Sequence, residues 1–203
     1  MTAGSLRTLK AGVFLLCLVP ILKLAAEALE FGGFTLGANP VEELIHRFGI
    51  WGLNFLLITL AVTPLRRLTG WNWLLRLRRM FGLFAFFYVL MHFLTYAGLD
   101  QRFDLGVIFE DIAERPYITV GFTALVLMIP LALTSTNGMM RRLGKRWKKL
   151  HRLVYPIAML GVWHFYWQVK LDTLEALIYA IILAILLGYR LFYRWRSEHD
   201  RIT

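Results

Sequence analysis

At 203 residues, 58% hydrophobic and only 18% charged, with a mean hydropathy of +0.58, the chain is more apolar than a soluble domain of its size. Its net charge of +10 sits in short basic stretches beside long apolar runs and not on one polar face, which excludes nucleic-acid binding and points to orientation in a membrane. The single cysteine, Cys17, lies in an apolar run and excludes an intrachain disulfide, a cysteine-ligated iron–sulfur cluster and covalent CxxCH chemistry.

The first predicted span covers about 11–29, behind Arg7 and Lys10. Ala26-Glu27-Ala28 resembles a signal-cleavage site, but Lys23 close ahead of it argues for a retained helix. Lys23 and Glu27, four apart, can pair on one helix face near the outer boundary. A Gly-rich, acidic loop ending in Asn39-Pro40 leads to a second span at about 44–63, which Pro64 and Arg66-Arg67 are expected to stop. The connection 65–79 carries Arg66, Arg67, Arg76, Arg78 and Arg79, with Trp71 and Trp73 suited to the headgroup level.

The third span, about 80–99, contains His92. An acidic loop, 100–116, precedes the fourth span at 117–134, and the inner loop 135–149 is the most basic stretch of the chain. The fifth span, 150–168, holds His151 and His164; a tight turn at 170–173 leads to the sixth, 174–193, and a basic tail. No internal repeat is visible. The reading is all-α: a polytopic membrane protein, a six-transmembrane-helix bundle forming one domain over 1–203. Arg7, Lys10, the arginines of 66–79, the cluster 141–152 and the arginines of 190–201 fall on one side, and only Lys23, Arg47, Arg102, Arg115 and Lys170 fall towards the other. That bias predicts both termini in the cytoplasm.

His92 lies about two-thirds of the way along the third span, and His164 lies at a similar depth in the fifth, both running outward. A neutral imidazole in a lipid-buried helix is costly unless paired or ligated. It is also a common axial ligand for haem iron, and two from neighbouring helices can clamp one haem from both faces. The bland alternative is two buried histidines, each bonded to a carbonyl or hydroxyl. With no CxxCH motif, any haem is of the b type.

His151 precedes His164 by thirteen residues, roughly 20 Å along a straight helix, which suggests a second station at the inner face. On an ideal helix the two would point about 140° apart, and Pro156 between them can kink the helix and alter that angle. Arg79 and Arg78 occupy the positions on the third span level with His151. An arginine is a poor iron ligand but a good partner for a haem propionate or a flavin phosphate. His151 as part of the interfacial basic collar is the competing reading. His46, at the outer interface, and His199, in the polar tail, are read as solvated.

The stretches GANPVEELIH, LLITLAVTPL, LLRLRRMFGL, LMHFLTYA, RPYITVGF, LALTSTNGMMRRLGKRWKKLHRLVY and WHFYWQVK together resemble the MsrQ family (formerly YedZ), within the ferric-reductase-like transmembrane domains. The resemblance covers nearly the whole chain and is most specific over 131–155. It implies a haem-binding membrane subunit of a periplasmic methionine sulfoxide reductase system, with haem between the third and fifth spans. It further implies that His92, His151 and His164 are the haem-associated, iron-binding histidines, that haem b (one or two) and FMN are the cofactors, and that Arg78 and Arg79 stand where the inner histidine of related reductases would be. Electrons would come from the quinone pool or a cytoplasmic flavin reductase and pass to a periplasmic molybdenum-containing reductase subunit, across the bacterial inner membrane. No Gly-rich dinucleotide motif is present, so the expectation is a redox relay without a substrate-converting site of its own. The alternatives are a free-standing ferric or quinone reductase of the same superfamily, and a haem-free transporter with structural histidines.

Overall fold

A computed structural model describes residues 3–169 and 173–199, so the predicted tight turn at 170–173 lies largely outside the described residues. Those residues form nine α-helices joined by short turns, with no strand among them. The helices are α1 (Ala3–Ala28), α2 (Pro40–Thr69), α3 (Leu75–Thr95), α4 (Leu105–Glu114), α5 (Pro116–Leu133), α6 (Asn137–Leu143), α7 (Lys145–Leu150), α8 (Val154–Gln168) and α9 (Leu174–His199). Five segments are long and apolar enough to cross a membrane: α1, α2, α3 with its flanking turns, α5 and α9. At 15 residues, α8 rises only roughly 22 Å and falls below that length.

Helices α2, α3, α5 and α8 close a ring, α2 packing on α3, α3 on α5, α5 on α8, and α8 back on α2. The most intimate seam is α2 on α3. A Cβ at Gly52 would come within 2.6 Å of the Val89 side chain, so only glycine lets the two backbones approach this closely. α1 and α9 lie outside the ring and leave many large apolar side chains exposed, as lipid-facing helices do.

Pro64 does not stop the second helix. It lies inside α2, which runs on to Gly70, whose left-handed backbone (φ 74°) ends it. A proline leaves the carbonyl four residues back without its donor. That carbonyl, on fully buried Leu60, accepts a hydrogen bond from Arg190 Nη2 on α9. A neighbouring helix thus satisfies the orphaned group, and the helix can continue in a lipid environment.

The segment 147–168 is not one straight helix either. It is divided into α7, a 3-10 turn at His151–Leu153 and α8, with Pro156 in the first turn of α8, where a missing N–H costs nothing. The thirteen-residue helical interval between His151 and His164 therefore does not exist as such. The acidic connection before α5 contains the ten-residue α4, and the basic segment after α5 contains α6 and α7.

The expected Lys23–Glu27 pair is present at 3.8 Å, and Arg47 of α2 also grips Glu27, joining α1 to the ring. Lower down, Tyr88 Oη donates to the Cys17 carbonyl (2.7 Å) and accepts from the Ile21 N–H (3.2 Å), in the turn of α1 that contains Pro20. Tyr88→Phe should therefore loosen α1, lowering stability by about 1 kcal/mol in a thermal melt while leaving the ring of four helices assembled. An unchanged melting temperature would show that α1 is held by its other contacts alone.

Candidate functional site

Each helix of the ring turns one face to an interior cavity of about 360 Å³. The lining positions recur at helical spacing: Gly49, Leu53 and Leu56 on α2, Val89 and His92 on α3 with Tyr96 in the π-helical turn that follows it, Gly121, Leu125 and Met128 on α5, and Ile157, Gly161 and His164 on α8. The floor is apolar, made by Leu56, Met128 and Ile157, and the outer rim is polar.

His92 and His164 meet in this cavity, their ring centroids 6.0 Å apart and their planes at 81°. The two are held in the same way. His92 Nδ1 lies 2.7 Å from the Ile45 carbonyl of α2, and His164 Nδ1 lies 2.7 Å from the Tyr117 carbonyl of α5. A carbonyl can only accept, so each Nδ1 carries the proton and each Nε2 keeps its lone pair. This is the tautomer and outer hydrogen bond that a metal-ligating imidazole uses.

One turn beyond each carbonyl stands a glycine against which the imidazole lies. A Cβ at Gly49 would sit 3.0 Å from His92 Nδ1, and one at Gly121 would sit 2.7 Å from His164 Nδ1. These two glycines are functional positions the sequence reading missed. The signal was there: each precedes its histidine by 43 residues, 92 − 49 and 164 − 121, and each carbonyl precedes its histidine by 47. The α2–α3 and α5–α8 pairs thus present the same device from opposite walls, a repetition of geometry without repetition of sequence.

The arrangement fits haem. Two imidazoles bound to one metal from opposite sides, with metal–nitrogen bonds of about 2.0–2.1 Å, have ring centres about 6.3 Å apart. A bare ion would need further protein ligands, and no cluster of three or more His, Cys, Asp or Glu side chains exists among the described residues. Apolar walls and two neutral imidazoles suit a flat, largely apolar macrocycle.

His151, Arg78 and Arg79 do not line this cavity. His151 stacks on Trp147 (centroids 3.8 Å apart), with Nδ1 3.2 Å from the Trp147 carbonyl and Nε2 3.5 Å from Ser135 Oγ. Arg79 Nη1 donates to Asn137 Oδ1 (2.5 Å) and tethers α3 to α6. Arg78 lies near enough to His151 and Arg190 to act on both electrostatically. His46, read as solvated, is exposed at the cavity rim with its ring 6.0 Å from that of Phe165. At the same rim Arg115 is held above the usual arginine pKa, first by a hydrogen bond with the Tyr117 side chain and then by the charge of Asp111. A second, open groove between α8 and α9 is lined by Met159, Val162, Trp163, Tyr166, Ala180, Leu183, Ala184 and Leu187. Among the described residues it has no cationic side chain to hold a flavin phosphate.

The sequence model of a family described as ferric reductase like transmembrane component matches residues 48–162, which is 115 of the 203 residues. The chain is 55% identical over 197 residues to a protein of Rhodospirillum rubrum, covering 94% of this chain and 93% of that one. It is 54% identical to one of Azospira oryzae, over 96% of this chain and 83% of the relative. A third, from Herminiimonas arsenicoxydans, is 51% identical over 98% of this chain and 92% of its own length. All three carry the name protein-methionine-sulfoxide reductase heme-binding subunit MsrQ. No solved structure matches the chain.

Proposed function

The chain belongs to the MsrQ family of ferric-reductase-like transmembrane proteins, and from that premise we propose that it is the haem b-containing electron-transfer subunit of a methionine sulfoxide reductase system. The observation that carries this reading is the pair of Nδ1–carbonyl bonds, which leave two Nε2 lone pairs in one cavity between α3 and α8. His92 and His164 are the residues that would hold the haem iron. The Ile45 and Tyr117 carbonyls hold their Nδ1 protons and so keep the rings in the ligating tautomer. Val89, Leu125 and Ile157 keep water from the centre of the cavity. Bound there, haem b supplies a one-electron redox centre.

The chain crosses the bacterial inner membrane six times as one domain over 1–203, with both termini in the cytoplasm. The 3-10 turn at His151–Leu153 extends α8 to roughly 28 Å, close to the hydrocarbon thickness, so that together they serve as the fifth crossing. The charge bias then puts His92 and His164 in the outer half and the arginine-rich α6–α7 region inside. Electrons enter from the quinone pool or a cytoplasmic flavin reductase at the inner face, near His151, Arg78 and Arg79. They leave to a periplasmic molybdenum-containing methionine sulfoxide reductase subunit, which docks on acidic outer loops. FMN has no seat in the groove between α8 and α9, whose described lining does not fit its phosphate.

A reduced-minus-oxidised spectrum of the purified protein, with haem and flavin quantitation, tests the proposal directly. It predicts one low-spin b-type haem per chain, and a haem-free protein would favour a transporter. Replacing Arg78 and Arg79 together by Gln should slow reduction by a cytoplasmic-side donor several-fold and leave that haem in place, since neither arginine lines the cavity. Loss of all haem in a folded double variant would sink this separation into an inner entry and an outer centre.

A further inference from the structure

The cavity is as amphipathic as the group proposed for it. Its floor of Leu56, Met128 and Ile157 offers no partner for an ionised carboxylate, and burying one there unpaired is strongly unfavourable. Haem b carries two carboxylates on one edge, so that edge must face the outer rim. Among the described residues lining the cavity, Arg115 is the single Lys or Arg.

Arg115 is held from behind. Its Nε lies 3.0 Å from Asp111 Oδ1, and Asp111 Oδ2 accepts a 2.7 Å hydrogen bond from Tyr96 Oη. Asp111 is only 6% exposed, so both of its oxygens are committed within α4 and its contacts. With Asp111 on Nε and the Tyr117 side chain as a further hydrogen-bond partner, the guanidinium fork still keeps terminal N–H groups able to donate to an oxyanion. Two carboxylates elsewhere on the rim, among the described residues, work against the other sides. Glu42 accepts from Asn39 (2.9 Å) and Asp100 from Gln101 (2.8 Å), and both repel an anion. His46 is the remaining titratable imidazole at the rim.

Resting on the reading that haem sits between His92 and His164, we infer that Arg115 is its carboxylate anchor: the haem is seated with its propionates outward, one of them on the Arg115 guanidinium at the start of α5. Asp111 and Tyr96 are the residues that position that guanidinium.

The test uses the full-length protein loaded either with haem b or with haem b dimethyl ester, whose edge carries no charge. The readout is the rate of transfer to excess apomyoglobin. Arg115→Gln should release haem b about tenfold faster than wild type, with Arg115→Lys between them. The ester should leave wild type and Arg115→Gln at the same rate. Arg102→Gln, on the outer face but outside the cavity, should match wild type. Should Arg115→Gln fail to fold, the wild-type protein alone decides, because it must lose the ester faster than haem b. Equal release of the two from wild type, or of haem b from wild type and Arg115→Gln, overturns the anchor while leaving the histidine pair standing. A wild-type protein that binds no haem overturns the site and the anchor together.

Discussion

His92→Ala and His164→Ala are each expected to abolish the same low-spin b-type spectrum, and the double variant should look like either single one. Removing one axial imidazole opens one coordination position, so a single loss already destroys the six-coordinate state. Each substitution also strips a carbonyl, on Ile45 or Tyr117, of its donor inside the ring of helices. That costs about 1–3 kcal/mol, enough to lower a melting temperature without unfolding the protein. Free imidazole can refill the vacated space, one nitrogen taking the open coordination site and its N–H facing the orphaned carbonyl. Recovery of a low-spin spectrum on adding it is the expected pattern. A normal spectrum in either single variant would show that the pair is not what holds the haem.

The histidine pair was legible in the sequence because depth along a membrane helix follows directly from residue count, and His92 and His164 are matched in depth. Their partners were not legible. Ile45 acts through its backbone, Tyr117 through its carbonyl and Gly49 and Gly121 through the absence of a side chain, so none advertises itself by chemical type. Only the equal intervals of 43 residues carried the signal. Pro64 misled because a proline read alone is a helix stop. Its compensation comes from Arg190, 126 positions later (190 − 64), where no local rule could find it. On a straight helix His151 and His164 point apart, and the 3-10 turn at His151–Leu153 breaks that helix between them. His151 stacks on Trp147 beside Arg78, an arrangement that residue spacing alone does not reveal.

The paired glycines give the sharpest test of the site, because the expected damage is graded and runs against the intrinsic effect of the substitution. Gly121→Ala places a methyl 2.7 Å from His164 Nδ1, and Gly49→Ala places one 3.0 Å from His92 Nδ1. In both cases the methyl meets a half-buried imidazole already pinned by a carbonyl one turn away, so the ring must tilt and its Nε2 must move. Haem content should therefore fall about tenfold in Gly121→Ala and only a few-fold in Gly49→Ala, since a sub-ångström misplacement of an axial ligand is felt strongly. Gly82→Ala, whose new methyl would meet only Thr59 at 3.8 Å, should retain full haem. All three substitutions lie within helices, where alanine is intrinsically favoured over glycine by about 1 kcal/mol. A loss of haem caused by misfolding would lower the stability of the haem-free protein. The steric account instead requires that stability to hold or rise while haem is lost, in the order Gly121, Gly49, Gly82. If Gly121→Ala bound haem as wild type does, the imidazole of His164 would not be seated against α5, and the clamp between the two helix pairs would have to be abandoned.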